Sequence, residues 1–157
     1  MIPPGDDIDR LMAVMHAAFD PAFAEAWTRR QVEDALLIGN CSYALIGATG
    51  TWPGTGEPAA GFFLSRYGFE EEELLLLAIA PEFRGRGLAT QLLTDLQSKA
   101  ESRGARRLLL EMRRGNPAER LYRASGFVPI GERLNYYRAP SGQRLDAITF
   151  SKTLQQT

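Results

Sequence analysis

The stretch AIAPEFRGRGLATQLL, residues 78–93, decides how this chain is read. The apolar run LLLLAIA, Leu74–Ala80, ends in it and suits a strand buried on both faces. A short turn then enters Arg84-Gly85-Arg86-Gly87-Leu88-Ala89-Thr90, and a helix is predicted over Gly87–Arg103 with Leu88, Leu92, Leu93 and Leu96 on one face. The first turn of a helix leaves backbone N–H groups without intrahelical partners, and with the helix dipole they favour an anion. Glycine at 85 and 87 permits tight turning and close approach of backbone to ligand, while Arg84 and Arg86 supply charge at the rim. A diphosphate suits this corner; solvated arginines on a glycine-eased turn are the plainer alternative.

Two nucleotide motifs compete for the same residues. A P-loop needs lysine followed by serine or threonine after its second glycine, and Leu88-Ala89 stands there instead. A dinucleotide fingerprint reads Gly85-x-Gly87-x-x-Thr90, with Glu111 as the acid ending the next strand. Thr90 replaces the third small residue, however, and the following segment runs to a helix and a hairpin, not to a second nucleotide-binding half.

Outward from the loop, Ile8, Leu11, Met12, Met15 and Phe19 recur at helical spacing and predict a helix over 7–19, capped by Asp6 or Asp7 and stopped by Pro21. Thr28 and Gln31 form a capping box for a second helix that ends at Gly39. Strands are predicted at Ser42–Ala48, Ala59–Arg66, Glu72–Ala80, Arg107–Met112, Phe127–Tyr137 and Asp146–Leu154. Asn116-Pro117 opens a last helix, with Asn116 as cap, that closes at Gly126. The order of elements is that of a mixed α/β or α+β layered domain.

The chain has 157 residues, 45% hydrophobic and 24% charged, enough for one globular domain over 1–157 and too short for a two-domain dehydrogenase. One cysteine, Cys41, excludes an intramolecular disulfide and a cysteine zinc site; one histidine, His16, argues against His-cluster metal chemistry. Both are read as structural. A net charge of −1 gives no bulk basicity for nucleic acid. No apolar run reaches the roughly 20 residues that span a bilayer, and MIPPGDDIDR lacks a signal-peptide pattern, so a soluble cytoplasmic protein is expected. Charge is nevertheless uneven: residues 1–83 carry 13 acids and 4 bases, residues 84–157 carry 6 acids and 14 bases. A basic half suits a phosphorylated ligand and an acidic half a cation, unless both are ordinary solvated surface.

Arg84-Gly85-Arg86-Gly87-Leu88-Ala89 satisfies the Gln/Arg-x-x-Gly-x-Gly/Ala signature of the GNAT superfamily, the Gcn5-related N-acetyltransferases. A second GNAT signature, Asn followed by a helix with Leu-Tyr and Gly-Phe, is matched by Asn116, Leu121-Tyr122 and Gly126-Phe127. The resemblance covers residues 6–155. It implies a mixed, mostly antiparallel central sheet with helices on both faces and a splayed strand pair. LEMR at 110–113, NYY at 135–137 and the tail SGQRLDAITFSKTL resemble the RimI branch, the ribosomal-protein-alanine N-acetyltransferases. The chain departs from the family pattern twice: Asn116 to Tyr122 is one residue short, and MIPP leaves little room for a first strand.

The resemblance implies acetyl-CoA as co-substrate, no metal, and direct attack of an amine on the acetyl thioester. The coenzyme would meet Leu77, Ala78 and Ile79 on the splayed strand, residues 84–90 of the loop, and Asn116, which could equally cap its helix. A backbone N–H near Ile79 would meet the oxyanion. Glu111 would be the general base, unless it pairs with Arg113 or Arg107; Glu73, at the position used by the histone-acetylating branch, is its rival. Tyr122 would protonate the leaving thiolate, its alternative being core packing. Tyr136, Tyr137 and the turn at 138–145 could wall a peptide groove or pack as ordinary strand residues. The implied acceptor is a protein N-terminus of the ribosomal S18 type, with no nucleic acid or membrane contact, and the chain acts as a monomer or weak dimer. A small-molecule amine acetyltransferase and an acyl-CoA-binding sensor are the alternatives.

Overall fold

In the computed structural model, which describes residues 5–154, the helices are α1 (Gly5–Ala18), α2 (Arg29–Ile38), α3 (Leu88–Ser102) and α4 (Glu119–Ala124). The strands are β1 (Cys41–Ile46), β2 (Gly61–Tyr67), β3 (Glu71–Ile79), β4 (Arg107–Arg113), β5 (Val128–Arg138) and β6 (Arg144–Thr153). Two short 3-10 turns, Pro21–Phe23 and Pro81–Phe83, follow α1 and β3. The expected near-absence of a first strand falls on residues 1–4, outside the described residues.

Six strands make one sheet in the order β1-β2-β3-β4-β6-β5, antiparallel throughout except β3 against β4. Each face carries its own core. On one, Leu88, Leu92, Leu93 and Leu96 of α3 pack with Tyr122 of α4 against Phe63, Leu108, Leu110 and Phe150. On the other, Ile8, Leu11, Met12 and Met15 of α1 and Val32 and Leu36 of α2 cover Phe62, Leu64, Leu76 and Ala78. Period-2 burial in the strands and helical spacing of apolar residues therefore point at the same two interfaces.

The element ends carry the differences from expectation. The capping box forms as predicted: Thr28 accepts from Gln31 N–H at 3.2 Å and Gln31 from Thr28 N–H at 2.7 Å. Helix α1, however, is already helical at Gly5, so Asp6 and Asp7 lie in its first turn and do not cap it. Asp7 is buried instead, accepting from the Tyr43 hydroxyl at 2.5 Å and Arg10 at 2.8 Å. Asn116 Oδ1 accepts from Ala118 N–H at 2.9 Å, and Glu119 N–H bonds Asn116 O at 3.1 Å. The cap is present, but it closes a tight turn ahead of α4, which begins only at Glu119. Edge strand β5 is exposed along nearly its whole length, and its pairing with β6 shifts register twice. Such irregularity blunts an open edge.

The charge asymmetry has a structural account. Glu70 pairs with Arg106, Glu71 with Arg107, Glu72 with Arg103 and Glu25 with Arg113, so acids of the first half meet bases of the second. Glu72 is fully buried and takes both Arg103 (2.7 Å) and the Ser65 hydroxyl (2.7 Å), tying β3 to the end of α3 and to β2.

One topological detail positions the site. Strands β3 and β4 pair only from Glu71↔Arg107 to Leu74↔Leu110. Beyond that point β3 continues to Ile79 and β4 to Arg113 without pairing, and a wedge opens between them. Strand β3 is buried on both faces, as its apolar run suggests, with Leu74 and Ile79 in one core and Leu76 and Ala78 in the other; Leu75 and Leu77 are part-buried where they line the wedge.

Candidate active site

The wedge is the floor of a cleft of about 860 Å³. Residues 75–79 of β3 form one wall, and Glu111, Met112 and Arg113 of β4 the other. Asn116 to Tyr122 close one end, and the segment after α1, with Phe23, Glu25 and Trp27, covers the rest.

Backbone groups face this space in two places. Ala80 N–H donates to Ala60 O at 2.8 Å, so by antiparallel alternation Phe62/Ala78 is the next hydrogen-bonded pair toward the strand start. The peptide groups of Leu77 and Ile79 then point away from β2, into the wedge. Ala78 lines the cleft too, but its own peptide group is turned toward β2. At the loop, Gln91 N–H is the first amide of α3 to find an acceptor, Gly87 O at 3.1 Å. The six preceding N–H groups, of residues 85–90, make no hydrogen bond among the described residues. Gly85 and Gly87 hold φ of 79° and 78°, a left-handed pair that lets successive amides converge on one side.

Arg84 stays exposed at the cleft lining and also takes a structural task that its predicted place as rim charge does not include. Its Nε donates to Ile79 O at 3.1 Å and a terminal nitrogen to Ala18 O at 3.1 Å, so it clasps the end of β3 to the end of α1. Arg86 stays exposed, its guanidinium 5.3 Å from the Phe83 ring centre. Leu88 sends its side chain into the core, leaving only its backbone N–H to a ligand. Among the expected coenzyme residues, Leu77, Ala78, Ile79, Arg84, Ala89 and Asn116 line the cleft; Gly85, Arg86, Gly87, Leu88 and Thr90 form the loop and helix start beside it.

Both proposed proton-transfer groups lie in the cleft. Glu111, 19% exposed, pairs through Oε2 with Arg133 at 3.3 Å and accepts from Thr149 at 3.3 Å. Arg113 and Arg107 are engaged elsewhere, so neither is its partner. Glu111 Oε1 has no partner among the described residues. Tyr122 packs its ring edge-on against Phe127, 5.9 Å between centres, and its hydroxyl has no hydrogen-bond partner among the described residues. Burial, with the charge of Glu25, pushes the phenol up to about 12. A Tyr held so is a proton donor rather than a base. Glu73 lies at the other end of β3, paired with Arg66 at 2.7 Å and outside the cleft lining. Tyr137 lines the cleft and Tyr136, its ring 5.2 Å away, is exposed outside it. His16 is exposed on α1, and burial pushes the part-buried Cys41 thiol up at the start of β1.

The profile of the acetyltransferase (GNAT) family matches residues 11–127. The chain belongs to this family. Among its relatives is the ribosomal protein bS18-alanine N-acetyltransferase of Haemophilus ducreyi, 41% identical over 80 residues, which are 50% of this chain and 55% of that protein. The Haemophilus influenzae protein of the same name is 35% identical over 91 residues, 58% of this chain and 62% of its own length. These alignments thus span less than two thirds of either relative. The crystal structure of the Escherichia coli ribosomal-protein-S18-alanine N-acetyltransferase superposes with a TM-score of 0.80 at 25% identity, covering 100% of this chain and 94% of that one.

Within this GNAT cleft, two side chains escaped sequence reasoning as site residues. Glu25 and Arg113 form an ion pair at 3.2 Å, and the Arg113 guanidinium lies 3.6 Å from the Phe23 ring centre. The sequence offers Arg113 as a strand residue two places after Glu111, on the same side of β4, and as a possible partner of Glu111, not of Glu25. Glu25 sits in an irregular segment with no periodicity to reveal it.

Proposed function

We propose that the chain is an N-acetyltransferase that moves acetyl from acetyl-CoA to the α-amine at a protein N-terminus, with a bS18-type ribosomal protein as the first candidate acceptor. The observation that carries this reading is the run of six unpaired amides, residues 85–90, at the mouth of a wedge that also holds Glu111 and Tyr122. N–H donors without a hydrogen-bond partner, at the start of a 15-residue helix, suit a diphosphate in charge. The names of the bS18-alanine relatives, and their fold match, support the choice of acceptor.

Acetyl-CoA supplies the activated acetyl group as a thioester. The peptide groups of Leu77 and Ile79 flank the pantetheine path, and Ile79 N–H meets the oxyanion formed when the amine attacks the carbonyl carbon. An α-amine has a pKa near roughly 8 and arrives largely as the ammonium, so it must lose a proton before attack. Glu111 Oε1 takes that proton, directly or through water. As the C–S bond breaks, the Tyr122 hydroxyl gives its proton to the thiolate, and the second proton of the attacking nitrogen, released as the amide forms, restores the phenol. Arg84 acts here as a positioning residue that fixes the Ile79 peptide.

Incubation with acetyl-CoA and alanine-, serine- and methionine-initiated peptides, with polyamines alongside, tests the reading by mass spectrometry. It expects a 42-Da gain (roughly, one acetyl for one hydrogen) at the peptide α-amine. Acetylated polyamine without acetylated peptide would make the acceptor a small molecule; binding of acetyl-CoA without any product would make the chain a sensor.

A further inference from the structure

Glu25 is held in the cleft with some care. Asp20 caps the turn ahead of it by accepting from Ala22 N–H at 2.9 Å, and Ala24 adopts a left-handed φ of 51°. A non-glycine residue there costs about 1 kcal/mol, and the result is that Glu25 faces β4 across the wedge. Arg113, only 11% exposed, binds Oε1 and is itself pinned on Phe23. Glu25 Oε2 has no partner among the described residues. Glu111, on the opposite wall, likewise keeps one free oxygen. The phenol of Tyr137 lies where both carboxylates act on it: burial and their two charges push it up to about 12. Each carboxylate is balanced by its own arginine and keeps one oxygen without a hydrogen bond, which a cationic group entering the cleft can take.

Resting on the acetyl-transfer reading, we propose that Glu25 is a specificity residue that holds the acceptor's ammonium group opposite Glu111 and so selects cationic amines over neutral or acid-flanked ones. Glu25 docks the charge and Glu111 removes the proton. Arg113 positions Glu25, and the acceptor's ammonium takes the Glu25 oxygen that Arg113 leaves without a hydrogen bond.

The test compares wild type with Glu25→Gln on two peptides that differ only at the first position. One begins with alanine; the other begins with an aminooxyacetyl group, which is uncharged at neutral pH. Loss of a charge-assisted contact is expected to raise the acceptor KM of the alanine peptide about tenfold. The aminooxy peptide should keep its KM, and acetyl-CoA affinity should stay within about twofold. Equal rises for both peptides, or no rise for either, overturn the proposal, since a turn that merely lost its shape would not distinguish charge. Should Glu25→Gln fail to fold, wild type carries the test with an alanine peptide bearing aspartate or glycine in second place. The aspartate peptide is expected to show the higher KM by about tenfold; equal values overturn the proposal. If wild type acetylates neither first-position peptide while binding acetyl-CoA, the acetyl-transfer reading itself fails.

Discussion

The proposed role of Glu111 rests on placement: one oxygen is held by Arg133 and Thr149, and the other makes no hydrogen bond among the described residues. Glu111→Gln keeps the shape and removes the basic oxygen. Its turnover should fall by about 10² or more, with acetyl-CoA affinity unchanged by calorimetry; unchanged turnover would remove Glu111 from the mechanism. Glu73→Gln should leave turnover near wild type, because Glu73 is paired with Arg66 away from the cleft. Tyr122 makes a different prediction. Its phenol is raised from the ordinary 10 to about 12 by burial and by Glu25. Above pH 10 an unfolded chain releases this proton while the folded one keeps it. The associated stability is therefore intact below 10 and lost as pH climbs toward 12. Urea melts across that window should show a shallower loss for Tyr122→Phe than for wild type, and identical slopes would contradict the burial argument.

At the scale of elements, the wedge depends on how closely β2 and β3 approach. Gly61 pairs with Ile79, and a Cβ there would meet the Ile79 side chain and sit 2.7 Å from Ala78 O. Gly61→Ala should cost about 1–3 kcal/mol, read from urea melts. It should also lower turnover by displacing the Ile79 peptide; a fully active, equally stable variant would mean that this strand end is free to move. Most elements were legible because hydrophobic periodicity and cap chemistry agreed locally, as in Thr28-x-x-Gln31 and the leucines of α3. What was not legible is where a neighbour intervenes. Asp7 left its expected cap role because Tyr43 and Arg10 reach it. Arg84 gained a clasp role because two carbonyls, Ile79 and Ala18, lie within its span. Glu25 was invisible because its position depends on a left-handed Ala24 and on Arg113.

The whole molecule puts opposite tasks on opposite sides of one wedge. The loop before α3 lies beside the wedge, and the segment after α1, next to the Arg84 clasp, brings Glu25 to its lining. Acids of the first half meet bases of the second across β3, β4 and this segment, so part of the uneven charge along the chain is paired in the fold. Among the described residues no helix is long and apolar enough to cross a membrane. The central claim is that the amides of residues 85–90 hold the twin phosphates of acetyl-CoA. Amide hydrogen exchange on the full chain, with and without saturating acetyl-CoA, reads those six groups directly. The account predicts fast exchange in the free protein and strong protection of residues 85–90 when acetyl-CoA is added. Unchanged exchange at all six, in a chain that remains folded, would contradict it.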